Sequence, residues 1–226
     1  MKDRPAQRAI AVCGLRNEAA AIRRGYPAME VLAGGGDAAR LERELEALLH
    51  AGPALVFSSG IAGGLDPSLA CGAVVIDGDA TVVKRLGAAL PGAVRATIAG
   101  QDAIIAGLAG KAALRQATGA VAVDMETHIA ARVARRHSAP FVAIRVISDT
   151  ADEVLPPAAL VGMRPDGGVA LGAVLASLAR NPAQLPALIR TGRHAALALR
   201  TLRDVYDALG RSGVLRLDLG ELALEV

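Results

Sequence analysis

Acidic residues that directly follow short apolar runs are the groups in this chain best placed for proton chemistry. Asp124-Met125-Glu126 follows the apolar residues 121–123, and Ser148-Asp149 follows the run 141–147. A further carboxylate, Glu18, lies in the turn after the apolar run Ala9–Cys13, beside Arg16 and Asn17. A carboxylate at a strand end can accept hydroxyl hydrogen bonds, take a proton from water or deliver one to a leaving group. It can equally serve as a helix cap or turn residue, so position alone leaves both roles open. Spacing adds to it. Ile129, Ala130, Val133 and Ala134 recur at helical intervals between the two runs, and Pro140 separates that helix from the second run. A right-handed crossover then predicts two parallel strands whose carboxylates emerge at one sheet edge. That carboxyl edge is where open α/β sheets bind ligands.

The elements that would position these groups alternate along the chain. Short apolar runs predict strands at Ala9–Cys13 and at residues 29–32, 54–58, 73–76, 80–83 and 93–99, besides the two above. Helices are predicted after Asp37, a candidate N-cap, where Leu41, Leu45, Leu48 and Leu49 share a face, and over residues 111–118. The expected fold is α/β, a three-layer αβα sandwich around a central mixed, largely parallel sheet. With 226 residues and neither repeat nor linker, one domain over residues 1–226 is expected.

Composition removes several function classes. The apolar fraction is 53%, yet no run is long enough to span a bilayer. The charged start, residues 1–8, leads into too short an apolar run for a signal peptide, so a cytoplasmic location is expected. A net charge of +3 and 2% aromatics argue against nucleic-acid binding. Cys13 and Cys71 sit in apolar surroundings and read as buried thiols, and His50, His128, His137 and His194 lack ligand spacing, so no metal is expected. Residues 180–216 carry Arg180, Arg190, Arg193, Arg200, Arg203, Arg211 and Arg216 against Asp204 and Asp207, alternating with leucines. That pattern suits a helix packed on the sheet with a solvated basic face, or a peripheral contact with an anionic membrane.

The motifs carry a family likeness. DMET and RVISDTAD resemble the nucleoside phosphorylase family, which includes the methylthioadenosine/S-adenosylhomocysteine nucleosidases. The resemblance implies that Met125 and Glu126 hold a ribose and that Asp149 faces a purine. SSGIAGGLDPSLACGAVVI resembles the family's ribose-pocket stretch, implying Gly60 and Ile61 there, and GQDAIIAGLAGKAALR its base-contacting segment, implying Ala103, Ile104 and Ile105. Ile104 stands where many relatives carry a stacking aromatic. DMETHIAARVARRH, GGGDAARLE and PDGGVALGAVLASLARNPAQLPALIR are similar to the hopanoid-associated phosphorylases, implying release of adenine from adenosylhopane. The likeness runs from Ala9 to about Leu209.

Breaking a purine–ribose bond leaves positive charge on the sugar and negative charge on the base. By resemblance, Asp149 is the general acid, its pKa raised by an apolar wall and Glu126, with Ser148 orienting it. Glu126 stays ionised and binds the ribose hydroxyls, and Glu18 activates water. Candidate phosphate contacts are Gly14, Arg16 and Gly35, with Arg23 and Arg24 as further cations. Ser58 and Ile61 replace an Arg and a Ser that bind phosphate in such phosphorylases, which favours water over phosphorolysis. No cofactor is expected, unless inorganic phosphate is co-substrate, and a homodimer is expected. A small purine nucleoside as substrate, and a non-catalytic nucleoside-binding module, remain as alternatives.

Overall fold

The computed structural model describes residues 8–161, 167–168 and 170–216. The first residues used for the signal-peptide argument, and Pro165, Asp166 and Val169 of the C-terminal motif, lie outside the described residues. In chain order the elements are β1 (Ala9–Cys13), α1 (Arg16–Gly25), β2 (Glu30–Ala33), α2 (Ala38–His50), β3 (Leu55–Gly64) and β4 (Val74–Gly78). Next come α3 (Ala80–Ala89), β5 (Val94–Arg95), β6 (Ile98–Gly100), α4 (Leu108–Thr118), β7 (Ala122–Asp124) and α5 (Thr127–Arg136). The rest are β8 (Phe141–Asp149), α6 (Pro157–Leu160), α7 (Leu171–Arg180) and α8 (Leu185–Ser212).

Strand alternation divides the core into two faces. Ile10, Val12 and Val56 point to one side, against Leu41 and Leu45 of α2 and Ile129 and Val133 of α5. Ala11, Phe57, Ile144 and Val146 point to the other, against Ile22 of α1, Leu86 of α3, and Leu202 and Tyr206 of α8. The period of two sends successive side chains to opposite faces, so each strand needs a helix layer on both sides. This is the expected αβα sandwich. Asp37 caps α2 as its type predicts, accepting the Arg40 amide at 2.9 Å.

The sheet runs β2-β1-β3-β8-β4-β5, with β7 on the far end of β3 and β6 beside β7. β2, β1, β3 and β8 are mutually parallel, whereas β4 is antiparallel to β8. The expected parallel relation of β7 and β8 does not hold. β7 pairs antiparallel with Gly63 and Gly64, past a register shift between Ala62 and Gly63. The crossover rule governs strands that continue one parallel sheet. β7 instead takes the edge of β3 beyond the point where β1 ends. This route still brings Asp124 and Glu126 to the site, but through the gap after β1.

Two other expectations are corrected. Residues 80–83, read as a strand from Thr-Val-Val, open helix α3, where Val82 and Leu86 are one turn apart and both fully buried. Asp79 ties the start of that helix to β8 by accepting the Phe141 amide at 2.7 Å. Residues 93–99 form no single strand, because the chain there changes partners. β5 pairs with β4 and β6 with β7, and between them the Ala96 amide still reaches Ile76 while Thr97 accepts the Val121 amide.

Candidate active site

The midpoint of β8 carries Arg145, which is fully buried among Val, Ile and Ala. Lost hydration costs a guanidinium heavily unless carboxylates surround it. Here three do. Arg145 forms ion pairs with Asp124 and, at 3.5 Å, with Glu126, and Glu18 adds to the field that keeps it charged. Its Nη2 also donates to Ser58 Oγ at 2.7 Å. Asp124 is held in turn by the Thr127 amide at 3.1 Å and by the Thr127 hydroxyl. Arg145 Nη1 is buried without a hydrogen-bond partner among the described residues.

Glu18 reaches this cluster from the first turn of α1. Its Oε2 accepts the Gly14 and Leu15 amides at 3.0 and 2.7 Å, and its Oε1 accepts the Ile61 amide at 2.7 Å. One carboxylate thus joins the end of β1 to the middle of β3. Burial pushes Glu18 up, against the pull of Arg145 and of these amides. Glu126 is pushed up to about 8 by burial and by Glu18 and Asp124, against Arg145. Crowded carboxylates disfavour one another's ionised form. Burial thus favours a proton on Glu126, where the resemblance implies an ionised group. Glycine is required at two positions here, for a Cβ on Gly14 would strike Glu126 and one on Gly60 would strike Glu18 and Arg145.

Asp149 ends β8 at the other side of the site. Its Oδ1 lies 3.1 Å from Ser148 Oγ, which is also 3.2 Å from the Ala62 carbonyl. A single hydroxyl proton must serve both acceptors. Asp149 does not stand against a purely apolar wall, as expected, because Lys111 Nζ contacts its Oδ2 at 2.6 Å. Between the two ends lies a cavity of about 210 Å³. Glu18, Ile61, Met125, Glu126, Ser148 and Asp149 line it, as do Ala103, Ile104, Ile105 and Gly14. Leu155, Leu160 and Ala195 add an apolar stretch to the wall, which Asp124 and Thr191 also line.

Residues 78–180 match the sequence profile of the Phosphorylase superfamily. Among solved structures, futalosine hydrolase of Helicobacter pylori superposes with a TM-score of 0.63 at 15% identity, covering 92% of this chain and 98% of that one. The methylthioadenosine/S-adenosylhomocysteine nucleosidase of Helicobacter pylori gives 0.63 at 15% identity, covering 95% and 100%. A putative nucleosidase of the same kind from Borrelia burgdorferi, bound to adenine, gives 0.65 at 13% identity, covering 90% and 99%. The fold is the nucleosidase fold. In this fold the cavity sits where the parallel strands β1, β3 and β8 end, as ligand sites of open α/β sheets do.

Apart from Gly14, the remaining predicted residues lie outside the cavity wall of this nucleosidase fold. Gly60 underlies Glu18 and Arg145, outside the cavity wall. Of the candidate phosphate contacts, the Gly14 amide is donated to Glu18 and the Gly35 amide to the Gly14 carbonyl at 2.8 Å. Arg16 is exposed, and its amide donates to the Gly167 carbonyl at 3.1 Å. Arg23 and Arg24 are exposed on α1, and Arg23 donates to the Val31 carbonyl. Two charges central to the site escaped the sequence reading. Arg145 had a usable signal, since a lone charge inside an apolar strand is rarely buried without function or partner. Lys111 had none, because lysines in helices usually face water.

Proposed function

We propose that this chain cleaves the N-glycosidic bond of a purine nucleoside, with water as the nucleophile. One observation carries the reading: a single cavity is lined by Asp149 and by Glu18 and Glu126, which the buried Arg145 backs. Asp149 delivers a proton to the departing base, positioned by Ser148. Glu126 and Met125 take the ribose, and the negative field around Glu126 stabilises the cationic sugar of the transition state. Glu18, whose affinity for a proton is raised by burial, takes a proton from the attacking water. Ala103, Ile104 and Ile105 pack against the base through aliphatic contacts. Each step uses side chains and water.

The same cluster argues against phosphate. Arg145 is already paired with Asp124 and Glu126, and the Gly14 and Gly35 amides already have acceptors. The apolar wall of Leu155, Leu160 and Ala195 suits an apolar 5′ substituent. With the motif likeness to hopanoid-associated phosphorylases, it supports adenosylhopane as substrate. Methylthioadenosine is the second reading, favoured by the structural likeness to nucleosidases named for it.

No helix among the described residues is long and apolar enough to cross a membrane. Leu171 and Leu175 of α7 are 69% and 64% exposed, and Arg190 of α8 lies close in sequence to exposed Leu185 and Ile189. These faces suit a second copy of the chain, as the sequence led us to expect, or the anionic lipid surface it left as an alternative.

The test is product analysis with adenosylhopane and with methylthioadenosine, each with and without inorganic phosphate. The expected result is free adenine and a free sugar hemiacetal, at a rate that phosphate does not raise. A sugar 1-phosphate product would overturn the choice of water, and no base release from either substrate would overturn the activity.

A further inference from the structure

Lys111 lies in the first turn of α4, and its side chain is 1% exposed. An ammonium has three protons, and each finds an acceptor here. They are Asp149 Oδ2 at 2.6 Å and the carbonyls of Thr150 at 2.6 Å and Glu153 at 3.1 Å. A buried ion pair is seldom more stabilising than apolar residues of equal volume, so stability alone is a weak reason for a lysine here. The placement is specific as well. Asp149 lines the site cavity, whereas Lys111 reaches it from behind, walling a separate cavity of about 610 Å³ with Leu108, Ala112 and Ala151.

We infer that Lys111 is a positioning residue for the reaction, acting through Asp149; this rests on the reading of Asp149 as the acid. By occupying Oδ2 it leaves Oδ1 as the oxygen that carries the proton. As the C–N bond breaks, its electron pair passes to the base and the proton moves from Oδ1 to a base nitrogen. The carboxylate so formed faces the ammonium, which stabilises the charge as it develops. The two carbonyl contacts hold the lysine to the turn after β8, so carboxylate and turn move as one unit.

A neighbouring cation favours the ionised form of a carboxyl group. Without it, the charge that develops on Asp149 as the proton leaves is no longer offset. Removing Lys111 therefore lowers kcat while leaving substrate binding nearly unchanged. The other ionisable groups around the pair are Glu126, Asp152, Glu153 and Cys71, with two cations already paired, Arg115 with Asp66 at 2.8 Å and His194 with Glu153 at 3.2 Å. None of them replaces the lost cation.

The experiment compares Lys111→Met, Lys111→Arg and Lys111→Ala with Asp149→Asn in the full chain, following adenine release from whichever of methylthioadenosine and adenosylhopane the parent turns over. Lys111→Met is expected to lower kcat by about 10²-fold and to change KM by less than about threefold. Lys111→Arg restores most of the rate. Methylammonium, entering through the cavity beside Lys111, raises kcat of Lys111→Ala saturably. An unchanged kcat in Lys111→Met, or a loss carried by KM alone, would overturn the inference. So would equal losses in all three variants that track the folded fraction by circular dichroism, without methylammonium rescue. An active Asp149→Asn protein would remove the acid assignment itself, whereas an inactive one beside an unimpaired Lys111→Met would remove Lys111 alone.

Discussion

At the scale of single residues, the site depends on charge crowding. Asp124, Glu126 and Glu18 share one guanidinium, and two of the three are pushed well above ordinary carboxyl values. This has a consequence for stability. Glu126 moves from an ordinary 4.5 to about 8 on folding, so in that window the native state binds a proton more tightly than the unfolded chain. Its contribution is fully present below the ordinary value and is lost as pH rises through the folded one. Glu18 acts in the same direction. Thermal melts from about pH 5 to about pH 9 should show Tm falling, and Glu126→Gln should flatten that fall, because the amide cannot ionise. Turnover of Glu126→Gln should drop sharply at every pH. Parallel Tm curves for the variant and the parent would show that Glu126 is not the group responsible.

At the scale of elements, β3 does the most positioning. It pairs with β1 over its first half, with β8 along nearly all its length, and with β7 at its end. The register shift at Ala62/Gly63 lets β7 enter from the side on which β1 has stopped. Into that gap come Glu18 from α1 and Glu126 from the start of α5, and Gly60 leaves them room. A Cβ at position 60 would overlap Glu18 Oε1 and come within 2.6 Å of Arg145 Nη1. Gly60→Ala should therefore cost about 1–3 kcal/mol of stability through overpacking and should lower turnover by displacing Glu18. Gly36→Ala is the matched control, since a Cβ there meets nothing within 4 Å. Urea denaturation and turnover of both variants check this. Equal behaviour of the two would mean that the room at Gly60 is not needed.

At the scale of the whole molecule, α8 binds the sheet to the helix layer on one side. Ala198, Leu202, Val205, Tyr206 and Leu209 of its second half are buried, whereas Leu185, Ile189 and Leu197 are exposed. The expected basic amphipathic helix is thus two pieces, a packed C-terminal half and an N-terminal half that borders the site through Thr191 and Ala195. Glu153, in the turn after Asp149, pairs with Arg190 and His194 of that half, at 3.1 and 3.2 Å. Tyr206 fixes the packed half, its hydroxyl 2.5 Å from Ser59 Oγ and its ring tilted against Phe57. Tyr206→Phe leaves the buried Ser59 hydroxyl short of a partner and should cost about 1–3 kcal/mol. Replacing the exposed Arg211, paired with Asp207 on the same helix, should cost well under about 1 kcal/mol. Chemical denaturation of the two variants distinguishes them, and a silent Tyr206→Phe would show that the Ser59 contact contributes nothing to holding the helix.

What the sequence determined by itself was whatever depends on near neighbours along the chain. The short apolar runs and the helical spacing in α2 and α5 announced strands and helices, hence the layered α/β sandwich. Local motifs pointed to Glu18, Met125, Glu126, Ser148 and Asp149, and the structure brings all five to one cavity. Local reading failed where a distant partner decided the outcome. Thr81-Val82-Val83 favours a strand by side-chain type, but those residues became helix because Val82 and Leu86 fill one side of the core. Residues 93–99 split because their hydrogen-bond partners lie on two different strands. The antiparallel entry of β7 depended on where β1 stops beside β3, a relation between segments some fifty residues apart or more. The two central cations followed the same rule. Arg145 and Lys111 carry charges whose meaning lies in carboxylates brought to them from other elements, and electrostatic contact across the fold is a property that only the tertiary structure can assign.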